Sequence, residues 1–303
     1  MHIKKIKTKL NSFSKLMKIV ESNKNITLIN ILKLSKQISF YYERALSSKR
    51  IIESLLGSNI VNNPILNGET TFNIFNIKKS NKFSISKTIW IYVTEEEKYS
   101  TNSYLKYEKN LIKNIKKNDL IIPIGQRAIN FATQNKYKIL FSHSENQIDY
   151  LVHILPEFLL EFMEQNGFFN INFVINSSKT KQSFLSVLPL SKMDFNLNVR
   201  HLEMEKEMNI KRMNIYPNLN KFINSELNSY LTYMVFTLLN ESALINEKYK
   251  LVAQNQKIHD LEKKYKQMHL SMLRGKRELE VEQLSLLSSK KDLLHTAGNY
   301  KEE

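Results

Sequence analysis

The chain has no cysteine among its 303 residues. Disulfides and thiolate metal sites are therefore unavailable, and cysteine usage leaves the redox compartment unmarked. Glycine and proline are scarce, at 6 and 5 residues. No G-x-G-x-x-G or G-x-x-x-x-G-K-[ST] element occurs, and Gly125 stands alone at the end of an apolar run, so no glycine-rich phosphate cradle is expected. No apolar run approaches the roughly 18 residues of a transmembrane helix. The lysine-rich N-terminus lacks both the apolar core and the small-residue cleavage site of a signal peptide, so a soluble intracellular protein is expected. The histidines at 2, 143, 153, 201, 259, 269 and 295 form no i, i+4 metal pair, and no Ser, His and acid set stands at a known spacing. Glu95-Glu96-Glu97 is the one acidic run, suited to a metal or partner loop and equally to a solvated turn. No metal, cofactor or catalytic residue is expected of this chain.

The absence of proline after Pro217 opens the C-terminal third to a single helix from about 219 to about 297. At ~1.5 Å per residue that is a rod of roughly 120 Å. Leu244, Leu251, Ile258, Tyr265, Met272, Leu279, Leu286 and Leu293 occupy one heptad position without a miss, which makes the seam of a supercoiled helix. The other end of the chain carries a matching pattern. One seam runs Ile3, Leu10, Met17, Lys24, Ile31, Ile38, Ala45 and Ile52, and the other Ile6, Phe13, Val20, Thr27, Leu34, Tyr41, Ser48 and Leu55, stopped by Gly57 and Ser58. An antiparallel hairpin that joins residues near 55 to residues near 220 brings the N-terminus level with about 270. It leaves the last 30 or so residues unpaired.

Between the helices, strand and helix patterns alternate. Strands are expected over 88–94, 120–125, 137–141, 170–176 and 182–188, and helices over 103–117, 126–134 and 147–165, the last interrupted or kinked at Pro156. The last two strands are joined by a polar turn over 177–181, and 59–81 and 192–217 read as connecting segments. This order points to an α/β fold, a Rossmann-like open sheet of mainly parallel strands. The expected domains are an N-terminal coiled-coil helix over 1–58, the α/β domain over 59–217, and a C-terminal coiled-coil helix with an extended tail over 218–303.

Net charge is +16. Residues 1–58 carry 12 Lys and Arg against 3 Asp and Glu, so the N-terminal helix supplies most of the excess. The expected hairpin sets its basic stretch beside Lys257, Lys263, Lys264, Lys266, Arg274, Lys276 and Arg277. Such a girdle attracts an acidic protein surface or a nucleic-acid backbone, unless it is only a solvated face. Aromatic stacking platforms and a continuous basic reading helix are both missing, so nucleic acid is not expected as the partner.

Several separate segments resemble the γ subunit, the rotor shaft, of F-type ATP synthases. Ser14-Lys15-Leu16-Met17-Lys18-Ile19-Val20 is similar to that family's T-K-A-M-K-M-V. The stretch from Leu120 through Gly125 to Phe131 resembles its strand followed by G-[KR]-[KR]-[GA]-x-[DN]-F. Asn172–Asn176 with Leu185–Leu190 resembles the strand pair ending in L-L-P-[IL]. Glu241-Ser242-Ala243 and Ile258–Tyr265 resemble S-E-x-A and I-x-D-L-x-x-x-Y. The chain departs from the family at Glu95–Ser103, where D-R-G-L-x-G-G has lost its glycines, at Ile245 in place of an arginine, and at His269-Leu270 in place of R-Q. It also runs some 15 to 20 residues past the usual end.

The resemblance implies a non-catalytic subunit within an ATPase or ATP synthase. Three α-like and three β-like subunits would surround the hairpin, with ATP bound between them. An ε-like subunit and a membrane or cytoskeletal load would attach at the central domain. The departures imply a divergent, specialised ATP-driven motor of wall-less, AT-rich bacteria, with proton transport or motility as its output, cytoplasmic and peripheral to the inner face of the membrane. The contacts with acidic levers are expected at Lys15, Met17, Lys18, Lys263, Lys266, Arg274 and Arg277. A coiled-coil scaffold or cytoskeletal adaptor with a globular head would show the same heptads.

Overall fold

The computed structural model describes residues 3–57, 65, 87–95, 103–177, 183–193 and 215–298, with the side chains of 57 and 288–298 left undescribed. Contacts divide the chain into two compact units, Met1–Leu28 with Lys250–Glu303, and Ile29–Tyr249. The elements in order are α1 (Ile3–Gly57), β1 (Thr88–Val93), α2 (Ser103–Asn114), β2 (Leu120–Ile124), α3 (Gln126–Gln134), β3 (Lys138–Ile139), α4 (Ile148–Asn166), β4 (Asn170–Val174), β5 (Leu185–Leu188) and α5 (Leu219–Gly298). A 3-10 turn covers Leu190–Lys192. The fold is thus mixed α/β, a five-stranded sheet with long N- and C-terminal helices. The expected connecting segments lie almost wholly outside the described residues. So do Glu96, Glu97 and all of the polar turn except Ser177.

In the first unit, burial follows the heptads. On α1 the covered positions are Ile3, Ile6, Leu10, Phe13, Met17, Val20, Lys24 and Thr27, with Ser14 also half-covered. On α5 they include Leu251, Gln254, Ile258, Leu261, Tyr265, Met268, Met272 and Gly275. These alternating three- and four-residue steps are the seam of a two-helix coil. Gly275 lies against Ile3: a side-chain carbon on the glycine would sit 3.6 Å from Ile3 Cγ1, ordinary contact distance. The helices are therefore antiparallel. Counting inward equally along both from this contact brings Val20 level with Ile258 and Lys24 level with Gln254. Two seam positions of α1, Lys24 and Thr27, and one of α5, Gln254, are polar. Thr27 is fully buried and returns its hydroxyl to Asn23 O at 3.0 Å, which satisfies the donor inside the helix.

In the second unit, the strand order is β3-β2-β1-β4-β5, with β1 parallel to β2 and β4, β2 parallel to β3, and only β4–β5 antiparallel. β1 is central and buried at every position, which explains its unbroken apolar run. One sheet face, including Ile89, Ile91, Ile122, Ile171 and Phe173, joins the main core with Ile38, Ala45 and Ile52 of α1, Leu151 and Leu155 of α4, and Tyr230, Met234 and Leu238 of α5. The other face packs Trp90, Tyr92, Ile121 and Val174 against Leu111 of α2 and Ala128, Phe131 and Ala132 of α3.

α4 runs through Pro156 without interruption. A mid-helix proline costs about 3 kcal/mol. Burial of Leu151, Val152, Leu155, Pro156 and Leu159 on one face offsets it, so tertiary packing overrides the local breaker. Asp119 ties the start of β1 to the α2–β2 turn. Its carboxylate accepts from Thr88 N at 3.2 Å, Trp90 Nε1 at 3.0 Å and Lys116 N at 3.0 Å.

Candidate functional site

The basic residues singled out in the sequence lie on outward positions of the first unit. Lys15, Lys18, Lys263, Lys266, Arg274 and Arg277 are all exposed, and none takes part in an ion pair among the described residues. Equal counting from the Ile3–Gly275 contact puts Lys15 level with Lys263. Both point away from the seam, so the charge forms a collar around the coil rather than one patch. Met17 differs from the cations: it is half-buried at a seam position, where it serves the pairing of the helices.

Past Gly275 the long helix has no described α1 residue beside it, because α1 begins at Ile3. Its apolar side chains are then open to solvent. Leu279 is 46% exposed, and Val281, Leu284, Leu286 and Leu287 are 60% or more. Arg277, Glu278, Glu280, Glu282 and Gln283 alternate with them and are exposed too, so charge and apolar surface are interleaved along this stretch.

At the carboxyl ends of β1 and β2 a half-open polar cavity of about 740 Å³ is lined by Thr94, Glu95, Gly125, Arg127, Asn146 and others. Gly125 has φ +97°, and a side chain there would collide with the carbonyl and hydroxyl oxygens of Thr94. This close approach has a purpose: Thr94 Oγ1 accepts from Ala128 N at 3.2 Å and so caps α3, which has no side-chain cap of its own. The nearby cation is engaged. Arg127 Nε and Nη2 donate to the two carboxylate oxygens of Glu108 at 2.7 and 3.0 Å, and the Tyr92 hydroxyl donates to the same carboxylate at 3.1 Å.

Burial first, and then the Glu108 charge, raise the Tyr92 hydroxyl far above the usual phenol. Burial pushes Tyr104 up to about 12; its hydroxyl accepts from Glu95 N at 3.0 Å. The two parallel bonds from Arg127 to one carboxylate are a charge-assisted pair that fixes the guanidinium against α2. Among the described residues no three His, Asp or Glu side chains could hold a metal ion, and no helix is long and apolar enough to cross a membrane.

Two buried polar contacts that the sequence does not reveal join α5 to β5 and to the segment that follows β4. The Tyr230 hydroxyl donates to Val187 O at 2.9 Å, and Ser177 Oγ donates to Glu241 Oε1 at 3.0 Å. Only the S-E-x-A resemblance drew attention to Glu241. Its partner, 64 residues away, carries no local signal.

No established protein-family profile matches the chain. It is 32% identical over 290 residues to the uncharacterized protein UU050 of Ureaplasma parvum serovar 3, an alignment that covers 95% of this chain and 94% of that protein. It is 26% identical over 249 residues to an ATP synthase gamma chain of Malacoplasma penetrans, covering 77% of this chain and 81% of that one. Among solved structures, a chain of the Euglena gracilis mitochondrial ATP synthase (OSCP/F1/c-ring) aligns over 99% of this chain and 98% of its own, at 12% identity and TM-score 0.43. A chain of the Tetrahymena thermophila mitochondrial ATP synthase central stalk and c-ring aligns over 76% and 98%, at 12% identity and TM-score 0.38.

Proposed function

The chain belongs to one family with UU050 of Ureaplasma parvum, and from that premise we propose that it is a γ-like central stalk, the rotor shaft of an F-type-like rotary ATPase. The observation that carries this reading is the conjunction of the antiparallel seam of α1 and α5 with similarity to an ATP synthase gamma chain along 77% of the sequence. In this reading three α-like and three β-like subunits surround the two helices and bind ATP between them, and closure of each β-like subunit pushes the shaft round. The chain contributes no catalytic residue.

The collar of Lys15, Lys18, Lys263, Lys266, Arg274 and Arg277 meets acidic levers, with Met17 holding the seam behind it. Attraction there is screened beyond ~8 Å at physiological salt. The sheet of Ile29–Tyr249, read as a Rossmann-like domain over 59–217, takes an ε-like subunit and a membrane or cytoskeletal load. The 1–58 and 218–303 segments form the coiled coil.

The lost glycines after β1 and the relatives in Ureaplasma parvum and Malacoplasma penetrans support a divergent motor of wall-less, AT-rich bacteria, cytoplasmic and peripheral to the membrane. ATP hydrolysis then drives a specialised load such as motility, or proton transport. The test is purification of the native complex through a tag on this chain, with its subunits counted by mass. One copy of the chain with six ATPase subunits supports the reading. The chain alone, or as a homodimer crosslinked only between copies, supports a coiled-coil scaffold instead.

A further inference from the structure

α5 meets the sheet side of its unit mainly through apolar groups, with Met234, Val235, Leu238 and Leu239 all buried. Such contact is non-directional. The two polar contacts described above interrupt it, and Tyr230 and Glu241 are both fully buried. Eleven residues separate them, about three helical turns, so they lie on one face of α5 roughly 16 Å apart. Burying a phenol and a carboxyl group is unfavourable unless each is hydrogen-bonded, and an apolar pair of similar size would stabilise the contact at least as well. What the polar pair adds is direction, since a hydrogen bond fixes distance and angle.

We propose that Tyr230, through β5, and Glu241, through Ser177 three residues beyond β4, key the sheet to the long helix at two heights, so that the sheet neither rolls around α5 nor slides along it and torque in the helix passes to the sheet without slip. Both are positioning residues. The torque half of this inference rests on the rotor reading; the key itself does not.

The test uses the isolated full chain, whose lack of cysteine allows spin labels on cysteines substituted for the exposed Lys113 of α2 and Ser225 of α5. Pulsed electron-spin distance measurement should give one narrow population in the otherwise unchanged chain. Tyr230→Phe with Ser177→Ala removes only two hydroxyls, and the double variant should lose the single population while its helicity is kept. Glu241→Gln retains the acceptor and should stay narrow. A folded double variant with the parent distribution overturns the key, as does a Glu241→Gln variant broadened as much as the double. Should the double variant not fold, broadening in Tyr230→Phe or Ser177→Ala alone supports the key, and parent width in both of these overturns it. Failure here leaves the rotor reading standing, and failure of the chain to assemble with a hexameric ATPase leaves the key standing.

Discussion

Gly125 is the residue whose identity the fold constrains most tightly. Its positive φ is strained for any side chain, and the space a Cβ would take is filled by Thr94, which caps α3. Gly125→Ala should therefore destabilise by at least about 1–3 kcal/mol, read as a lower denaturant midpoint; an unchanged midpoint would contradict the geometry. The buried tyrosines give a pH signature. Burial raises Tyr92 and Tyr230 above the phenol value of 10.0, and Tyr104 to about 12. The folded state holds these protons more tightly than the unfolded one, so their contribution is complete below about pH 10 and is lost as pH climbs through the folded values. The thermal midpoint should not fall on their account between neutrality and pH 10, and should fall steeply beyond. Tyr104→Phe should soften that fall, and a midpoint that holds through the alkaline range would count against the burial described.

At the scale of elements, the heptads of α1 and α5 carry the pairing in plain view, because a seam needs only periodicity and each layer repeats it. The sheet was legible for a similar reason. Its central strand Thr88–Val93 is buried throughout and reads as one nearly unbroken apolar run, and β3, only Lys138–Ile139, falls inside the strand expected over 137–141 but is shorter than it. Pro156 does not interrupt α4, because the proline is itself buried on the face that packs Leu151, Val152, Leu155 and Leu159, and that burial overrules the local rule. Leu10→Ala in the seam should cost about 2–5 kcal/mol. Because Met1–Leu28 and Lys250–Glu303 form their own compact unit, the loss should show as faster amide exchange there, with protection in β1 and β2 retained; equal loss in the sheet would be contrary to the two-unit division. Single cysteines at Val20 and Ile258 should crosslink within one chain, and crosslinks only between copies would contradict the antiparallel seam.

The whole molecule combines surfaces that the sequence exposed unequally. The lysines of the collar could be named from composition, but their outward placement around the coil depended on the register. The Ser177–Glu241 and Tyr230–Val187 contacts could not be named, since each joins residues far apart in the chain. Reversing Lys15, Lys18, Lys263 and Lys266 to Glu leaves the apolar seam intact and should change stability by no more than about 0.5 kcal/mol per site. If the proposed rotor role holds, the same variant should assemble poorly with the surrounding hexamer, or the complex should turn over ATP more slowly, with a defect that varies with ionic strength. Normal assembly and turnover at low salt would show the collar to be a solvated face.

The central claim is that this chain turns. A complex immobilised through its hexamer, with a bead attached at Lys113 on the sheet unit, gives the most direct measurement. The account predicts unidirectional rotation of the bead that starts on addition of ATP and stops when ATP is removed. Hydrolysis of ATP by the same complexes while the bead stays fixed would contradict it.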